Sequence, residues 1–339
     1  MINSEDEFLL PRQFLCTVPL PYPISHLTHQ ATQCSLLSTI PSLSPILSFS
    51  GATTYQSTLS SYTSLQESLL LPTCILTPTT PSQVSTAISL LSSHPSCQFA
   101  IKSHGHAVGA GFANIASGVT ISLTSLSSIS VNGDRTVASV GAGARWLDVY
   151  AELDKYGIQV AGGRNGNVGV GGLLLGGGIS YFGPRVGWAC DNVVNFEVVL
   201  PSGLLVNANA ISHSDLFRAL KGGANNFGVV TRFDLAAFPQ GEILAGAIST
   251  TIENVDAVFE AFAEIAGAED YDPYASLVTG LTFSSDAKAW VGVGTTAIYT
   301  KSVENPKIYE EFLSIPDTTS TQHLTNLSTF SNETQTPPL

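Results

Sequence analysis

Residues 101–112 read IKSHGHAVGAGF and place His104 and His106 one glycine apart in a run of small residues. Such a segment offers an imidazole, able to act as base or nucleophile near neutral pH, on a backbone with little bulk around it. A second stretch, residues 162–192, reads GGRNGNVGVGGLLLGGGISYFGPRVGWACDN. Within it Gly169, Gly171, Gly172, Gly176, Gly177 and Gly178 fall inside ten positions. Glycine at that density costs chain entropy, a cost accepted where positive φ or direct approach of a ligand to the main chain is needed. Amides exposed in this way bind anions without lysine. With GGANNFG at 222–228, the chain has three separated glycine-rich loops, 103–111, 162–178 and 222–228. Three loops exceed the needs of a monophosphate and suit a long dinucleotide lying across a domain.

The motifs of other chemistries are missing. No G-x-G-x-x-G leads into a helix, so the nicotinamide fingerprint fails. No G-x-x-x-x-G-K-[ST] occurs, nor G-x-S-x-G, nor H-E-x-x-H. Five cysteines, Cys16, Cys34, Cys74, Cys97 and Cys190, make no zinc spacing and no Cys-x-x-Cys pair, and no metal site is expected. They serve either as buried thiols or, in an oxidising compartment, as a Cys34–Cys97 disulfide.

The loops need elements to hold them. A short strand at Cys74–Leu76 meets a proline turn, and Pro81 and Ser82 open an amphipathic helix with Val84, Ile88 and Leu91 on one face. A strand from Gln98 to Lys102 then runs into the first loop. Alternation in VTISL and TVASVGAG reads as strands around a turn at Asn132-Gly133-Asp134. ARWLDVYAELDKYG is a helix with Trp146, Val149, Tyr150 and Leu153 on its apolar face, closed by Gly157. NFEVVLPSGLLVNAN gives two strands about a turn, HSDLFRALKGG a short helix and NFGVVTRFDLAAF a further strand. These imply an α+β or mixed α/β domain over residues 34–240. A poorly ordered lead-in is expected at 1–33. From 241 the texture changes to one clear helix, VDAVFEAFAEIAG, with paired strands, an incomplete second domain over 241–339. The polar tail reads as frayed or cut short.

The formal charge of −13, with only 13 Lys+Arg, argues against a nucleic-acid groove or a polybasic membrane patch. At 44% hydrophobic and 12% charged the chain is globular, and no apolar run reaches the ~18 residues of a membrane span. The start, MINSEDEF, is acidic where a secretory leader would be basic. Serine and threonine richness and the acceptor tripeptides at Asn326 and Asn332 nevertheless favour an extracellular protein.

Taken in order, KSHGHAVGAGF, GGRNGNVGVGGLLLGGGISYFGPRVGWACDNV, FEVVLPSG and DLFRALKGGANNFGVVTRFDL resemble the flavin-binding domain of the vanillyl-alcohol oxidase superfamily. The likeness is greatest to the fungal berberine bridge enzyme-like, FAD-linked oxidoreductases of secondary metabolism. It implies a PCMH-type FAD-binding domain of two small α/β subdomains, followed by a partial substrate domain of antiparallel sheet and helix. In that family the first loop is usually Arg-Ser-Gly-Gly-His, whose histidine bonds covalently to the flavin 8α-methyl carbon. In register, Lys102 matches the arginine, Ser103 the serine, Gly105 the second glycine and His106 the attachment site, with Ala107 following. His104 departs from the pattern, bringing a side chain where a glycine lets the pyrophosphate approach. Some members add a second bond from a cysteine; here that position is Asn165, so one covalent link is the most expected. Val168, Gly171, Gly172, Gly176 and Gly177 resemble the segment around pyrophosphate and flavin. Val230 resembles the strand residue beside the adenine or ribose.

The resemblance further implies a reaction, oxidation of a sugar, alcohol or secondary metabolite by hydride transfer to flavin N5, with reoxidation by oxygen. The alternative is a truncated flavin-binding pseudoenzyme without turnover. The expected partners are a small-molecule substrate and oxygen, with no nucleic acid or membrane, acting on a monomer. No catalytic base is assigned. Tyr299, Tyr274 and Glu264 are conceivable bases that serve equally as structural residues, and Lys221 and Arg185 are candidate cations for the cofactor's charge.

Overall fold

The computed structural model describes residues 33–335, so the expected lead-in lies outside the described residues except for Gln33. Strands β1 (Leu47–Ser48), β2 (Cys74–Leu76), β3 (Phe99–Lys102) and β4 (Val119–Ser122) form a sheet in the order β1-β2-β4-β3. β4 runs parallel to both β2 and β3, while β1 is antiparallel to β2. Every residue of β2 and β4 is buried, as befits parallel strands covered on both faces. The crossover from β2 to β3 is the helix Pro81–Ser92. Thr80 starts it with a reciprocal cap: its hydroxyl accepts from the Gln83 amide, and the Gln83 side chain accepts from the Thr80 amide. Val84, Ala87, Ile88 and Leu91 form its buried face.

The second sheet holds β5 (Ile129–Val131), β6 (Val137–Gly141), β8 (Val193–Val199), β9 (Leu205–Asn209) and β10 (Val229–Pro239) in the order β5-β6-β10-β8-β9, and β7 (Ile158–Val160) pairs with the far end of β10. Along β10, Thr231, Phe233 and Leu235 are buried while Arg232 and Asp234 turn to the other face, the period of two that a half-covered strand demands. The helix Trp146–Asp154 buries Trp146, Val149, Tyr150 and Leu153, the face its sequence pattern marks.

A third sheet contains β11 (Ile243–Thr251), β12 (Ala275–Ser284), β13 (Ala289–Tyr299), β14 (Thr319–Ser320) and β15 (His323–Thr325), with the helix Val255–Gly267 packed on it. Ile248, Val258, Ala261, Ile265 and Phe312 share a core distinct from the large cluster of the first two sheets. The tail is not frayed over the described residues. β14 and β15 pair with β11, and the helix Leu327–Glu333 sets Leu327 and Phe330 into the large core. Each such side chain contributes about 1.5–3 kcal/mol when buried. Composition misleads here because two apolar side chains at helical spacing suffice to dock a polar segment.

One covalent expectation is corrected. The disulfide joins Cys34 to Cys74, and Cys97 is a free thiol. Cys34 stands on the helical turn 33–38 and Cys74 opens β2, both in the same core, whereas Cys97 lies in the loop before β3. Cysteine spacing names the candidates but never the connectivity, which depends on which elements pack together.

Candidate functional site

A cavity of about 560 Å³ opens where the first two sheets meet, within the ~300–1,000 Å³ typical of small-molecule sites. Two parallel strands deliver their carboxyl ends to it, Ser103 following β3 and Leu123 following β4. Ligands settle at such ends because the main chain there leaves the sheet with its polar groups uncommitted. From the second sheet come Ala142, just past β6, and Val229 and Val230 at the start of β10.

All three glycine-rich loops reach this one cavity. The first supplies Ser103, His104, Gly105, His106 and Ala107; the second Val168, Gly171, Gly172 and Gly176; the third Ala224, Asn225 and Gly228, with Val230 beyond. Two of the cofactor-binding candidates lie elsewhere. Asn165 bonds within its own turn, accepting from the Asn167 amide, and reaches the Thr334 carbonyl of the tail. Gly177, at φ +101°, accepts from the Cys190 amide in the turn behind the second loop.

A short turn that the sequence did not single out, residues 141–144, holds the loops together. Ser103 Oγ donates to the Ala142 carbonyl at 2.7 Å, and His104 Nε2 to the Gly143 carbonyl at 2.8 Å. From the second loop, the Val170 amide donates to Ala144 at 2.9 Å and the Gly171 amide to Ala142 at 3.3 Å. The third loop joins through the Ala224 amide, which donates to the Leu175 carbonyl. Glycine is obligatory in this hub, since a Cβ on Gly143 would stand 1.8 Å from the Leu123 carbonyl oxygen. The alternating glycine and alanine of GAGA, read as the end of a strand, was the available signal. Glu67 was also missed. This fully buried carboxylate accepts from the Ala113 amide at 2.7 Å and the Gly111 amide at 3.3 Å, fixing the far end of the first loop.

Electrostatics divide the two histidines. His106 is exposed on the cavity wall. His104 is half-buried, and desolvation pushes its pKa down to about 4, with Lys102 and Arg145 adding to the effect. At neutral pH the ring is therefore uncharged, and its Nε2 proton is committed to Gly143, because a carbonyl can only accept. His104 is thus a pin between loop and hub.

Among the described residues no Asp, Glu, Lys or Arg lines the cavity. Lys221 donates to the Asp191 carbonyl and lies over Phe217. Arg185 is set among Phe182, Phe238 and Tyr274 in a separate cavity of about 460 Å³. Tyr274 lines that second cavity, Tyr299 donates to Asp272, and Glu264 is on the helix Val255–Gly267; none of the three reaches the glycine-lined cavity. Among the described residues no group of three or more His, Cys, Asp or Glu could hold a metal ion, and no helix is long and apolar enough to cross a membrane.

Residues 72–209 match the FAD binding domain family. The chain is 40% identical over 277 residues to an FAD-dependent monooxygenase of Cochliobolus heterostrophus, a match covering 79% of this chain and 52% of the relative. It is 38% identical over 291 residues to an FAD-dependent monooxygenase of Emericella nidulans, covering 85% and 60%. The chain thus spans between half and two thirds of these relatives. Among solved structures, wild-type BBE-like 1 of Physcomitrella patens superposes with a TM-score of 0.73 at 21% identity, over 90% of this chain and 66% of that one. Glucooligosaccharide oxidase of Acremonium strictum gives 0.74 at 20% identity, over 89% and 62%, and is described with a 6-S-cysteinyl, 8α-N1-histidyl FAD.

Proposed function

We propose that this chain is a member of the vanillyl-alcohol oxidase superfamily and an FAD-linked oxidoreductase of a small organic substrate, a reading supported by its match to the FAD binding domain family and by its similarity to FAD-dependent monooxygenases. The observation that carries the reading is the convergence of three loops, far apart in sequence, on one cavity. The lining fits the cofactor. Among the described residues it contains no carboxylate to repel a pyrophosphate, and its walls are largely glycine, alanine, leucine and valine. Outside its own helix backbone, Gly172 has no described protein atom within 4 Å of where a Cβ would stand, so its main chain is open to a ligand.

In this site the amides of the first loop and of Gly172 would cradle the pyrophosphate, acting as preorganised donors that need no mobile side chain, while Gly171 and Gly176, whose amides donate to Ala142 and Gly172, would shape the wall. The main chain at Val230 would meet the adenine or ribose. His106 would carry the covalent bond to the 8α carbon, and with Asn165 in place of a cysteine a second bond has no thiol to form it. Leu173 and Phe112 would exclude water from the reacting end. The chemistry FAD supplies when bound is hydride acceptance at N5 and return of the electrons to oxygen.

Purified protein tests the proposal. Yellow colour should stay with acid-precipitated wild-type chain and be absent from acid-precipitated His106→Ala. Peroxide should be released when sugars, alcohols or polyketide-like alcohols are oxidised. Colourless protein that takes up no added FAD would sink the reading, and flavin retained without turnover on any substrate would select a pseudoenzyme instead. A second reading, monooxygenation, is favoured by the names of the curated relatives. Label from ¹⁸O₂ in the organic product would select it over oxidase chemistry.

A further inference from the structure

We propose that Lys102 is the buried cation that compensates the pyrophosphate of FAD, kept without a partner in the protein so that the ligand's anion completes it. The proposal rests on the FAD reading above and adds to it the source of positive charge, which the cavity wall lacks.

Lys102 ends β3, between Ile101 and Ser103, both of which line the cavity. It is 1% exposed, among the most buried large side chains of the protein. Yet among the described residues its ammonium makes no ion pair and no hydrogen bond. The ammonium lies over the face of Tyr62, 4.9 Å from the ring centroid, and its charge helps to keep His104 neutral. The side chain lies directly behind the first loop: Cε stands 3.1 Å from where a Cβ on Gly105 would be. Gly105 can present bare main chain both to the cavity and to the lysine, with φ at +82°.

A buried charge without a partner is unfavourable, and such groups persist where a ligand supplies the missing half. Burial accordingly pushes the Lys102 pKa down to about 8. The pyrophosphate is the part of FAD with fixed negative charge, and the lysine underlies the loop whose amides would meet it.

Two titratable groups adjoin the lysine: Tyr62, whose ring it lies over, and His104 of its own loop. His104 is uncharged above about pH 4, and burial drives the Tyr62 hydroxyl well above its ordinary range. Neither changes charge between pH 7 and 9.5, where Lys102 does. Reversible binding can be measured in a His106→Ala background, which removes the remaining imidazole and any covalent bond.

In that background, FAD and riboflavin should be titrated by flavin fluorescence with Lys102 and with Lys102→Met, from pH 7 to 9.5. The expected results at pH 7 are an FAD affinity about tenfold or more weaker for Lys102→Met, riboflavin affinity unchanged, and a higher melting temperature for the apoprotein, from which an unpaired charge has been removed. Affinity of the Lys102 protein for FAD should fall up to about tenfold per pH unit above 8, a slope absent with Lys102→Met. Equal weakening of FAD and riboflavin, or a less stable apoprotein, would make the lysine structural and overturn the proposal alone. If the Lys102 protein bound neither flavin, the FAD reading would fail and take this inference with it.

Discussion

Replacing Gly172 by alanine should stabilise the protein and weaken its hold on flavin at once. The residue lies inside the helix Val170–Leu175, where alanine is favoured over glycine by about 0.5–1 kcal/mol. Outside its own helix backbone, no described protein atom comes within 4 Å of the added Cβ, so nothing in the protein opposes that gain. For a chain of this size it corresponds to roughly 1 °C in melting temperature. The methyl group would, however, project into the space that the cofactor's pyrophosphate is proposed to fill. Crowding of a close main-chain contact costs about 1–3 kcal/mol, or about 5- to 150-fold in Kd.

Gly169→Ala supplies the opposite control three residues earlier. Its φ of −73° accepts alanine, but the Cβ would stand 2.4 Å from Ser103 Oγ, so the apoprotein should melt lower. Differential scanning fluorimetry of the apoproteins and FAD titration, both in the His106→Ala background, give the two readouts. Gly172→Ala binding FAD as tightly as its parent would refute the placement of the ligand against this helix. A lowered melting temperature would refute the reading of open space.

Two further outcomes follow from side chains away from the loops' main chain. Peptide mapping under non-reducing conditions should recover Cys34 linked to Cys74 and leave Cys97 alkylatable; Cys34→Ser should cost about 4 kcal/mol in chemical denaturation, the chain-entropy value for a closure spanning 40 residues. For His104 the folded pKa of about 4 lies below the ordinary 6.5, so the unfolded state takes up the proton first. Stability should therefore be full above pH 6.5 and decline by up to about 3 kcal/mol as the pH falls through 4. His104→Gln should lose that part of the acid decline, and an unchanged acid limb would show that the ring is not held neutral.

Much of the secondary structure is legible in local pattern because burial on one face imposes a period on the residues. Trp146, Val149, Tyr150 and Leu153 announce a helix, and VVTRFDL a half-covered strand, without reference to any partner. Loop density of glycine is legible for the same reason, since it reports a backbone requirement at the residue itself. The hub at 141–144 was not, because its role consists of carbonyls accepting from one loop 39 residues earlier and another 26 to 29 residues later. Nor was Glu67, a carboxylate in a Ser/Thr/Leu-rich segment whose partners are amides at 111 and 113. The docking of Leu327 and Phe330 depends likewise on a helix formed at 146–154.

Local chain chemistry, then, determined which stretches are bare enough to meet a ligand, and placed in one of them His106, the residue proposed to be joined to it. Only the tertiary structure decided that three such stretches face one cavity, that Cys74 rather than Cys97 lies beside Cys34, and that Arg185 and Lys221 are spent elsewhere while Lys102 stays unpaired beneath the loop. The division has a physical cause. Backbone freedom and side-chain period are properties of neighbouring residues, whereas hydrogen-bond partners, disulfide connectivity and the desolvation of a charge are set by whatever the fold brings alongside.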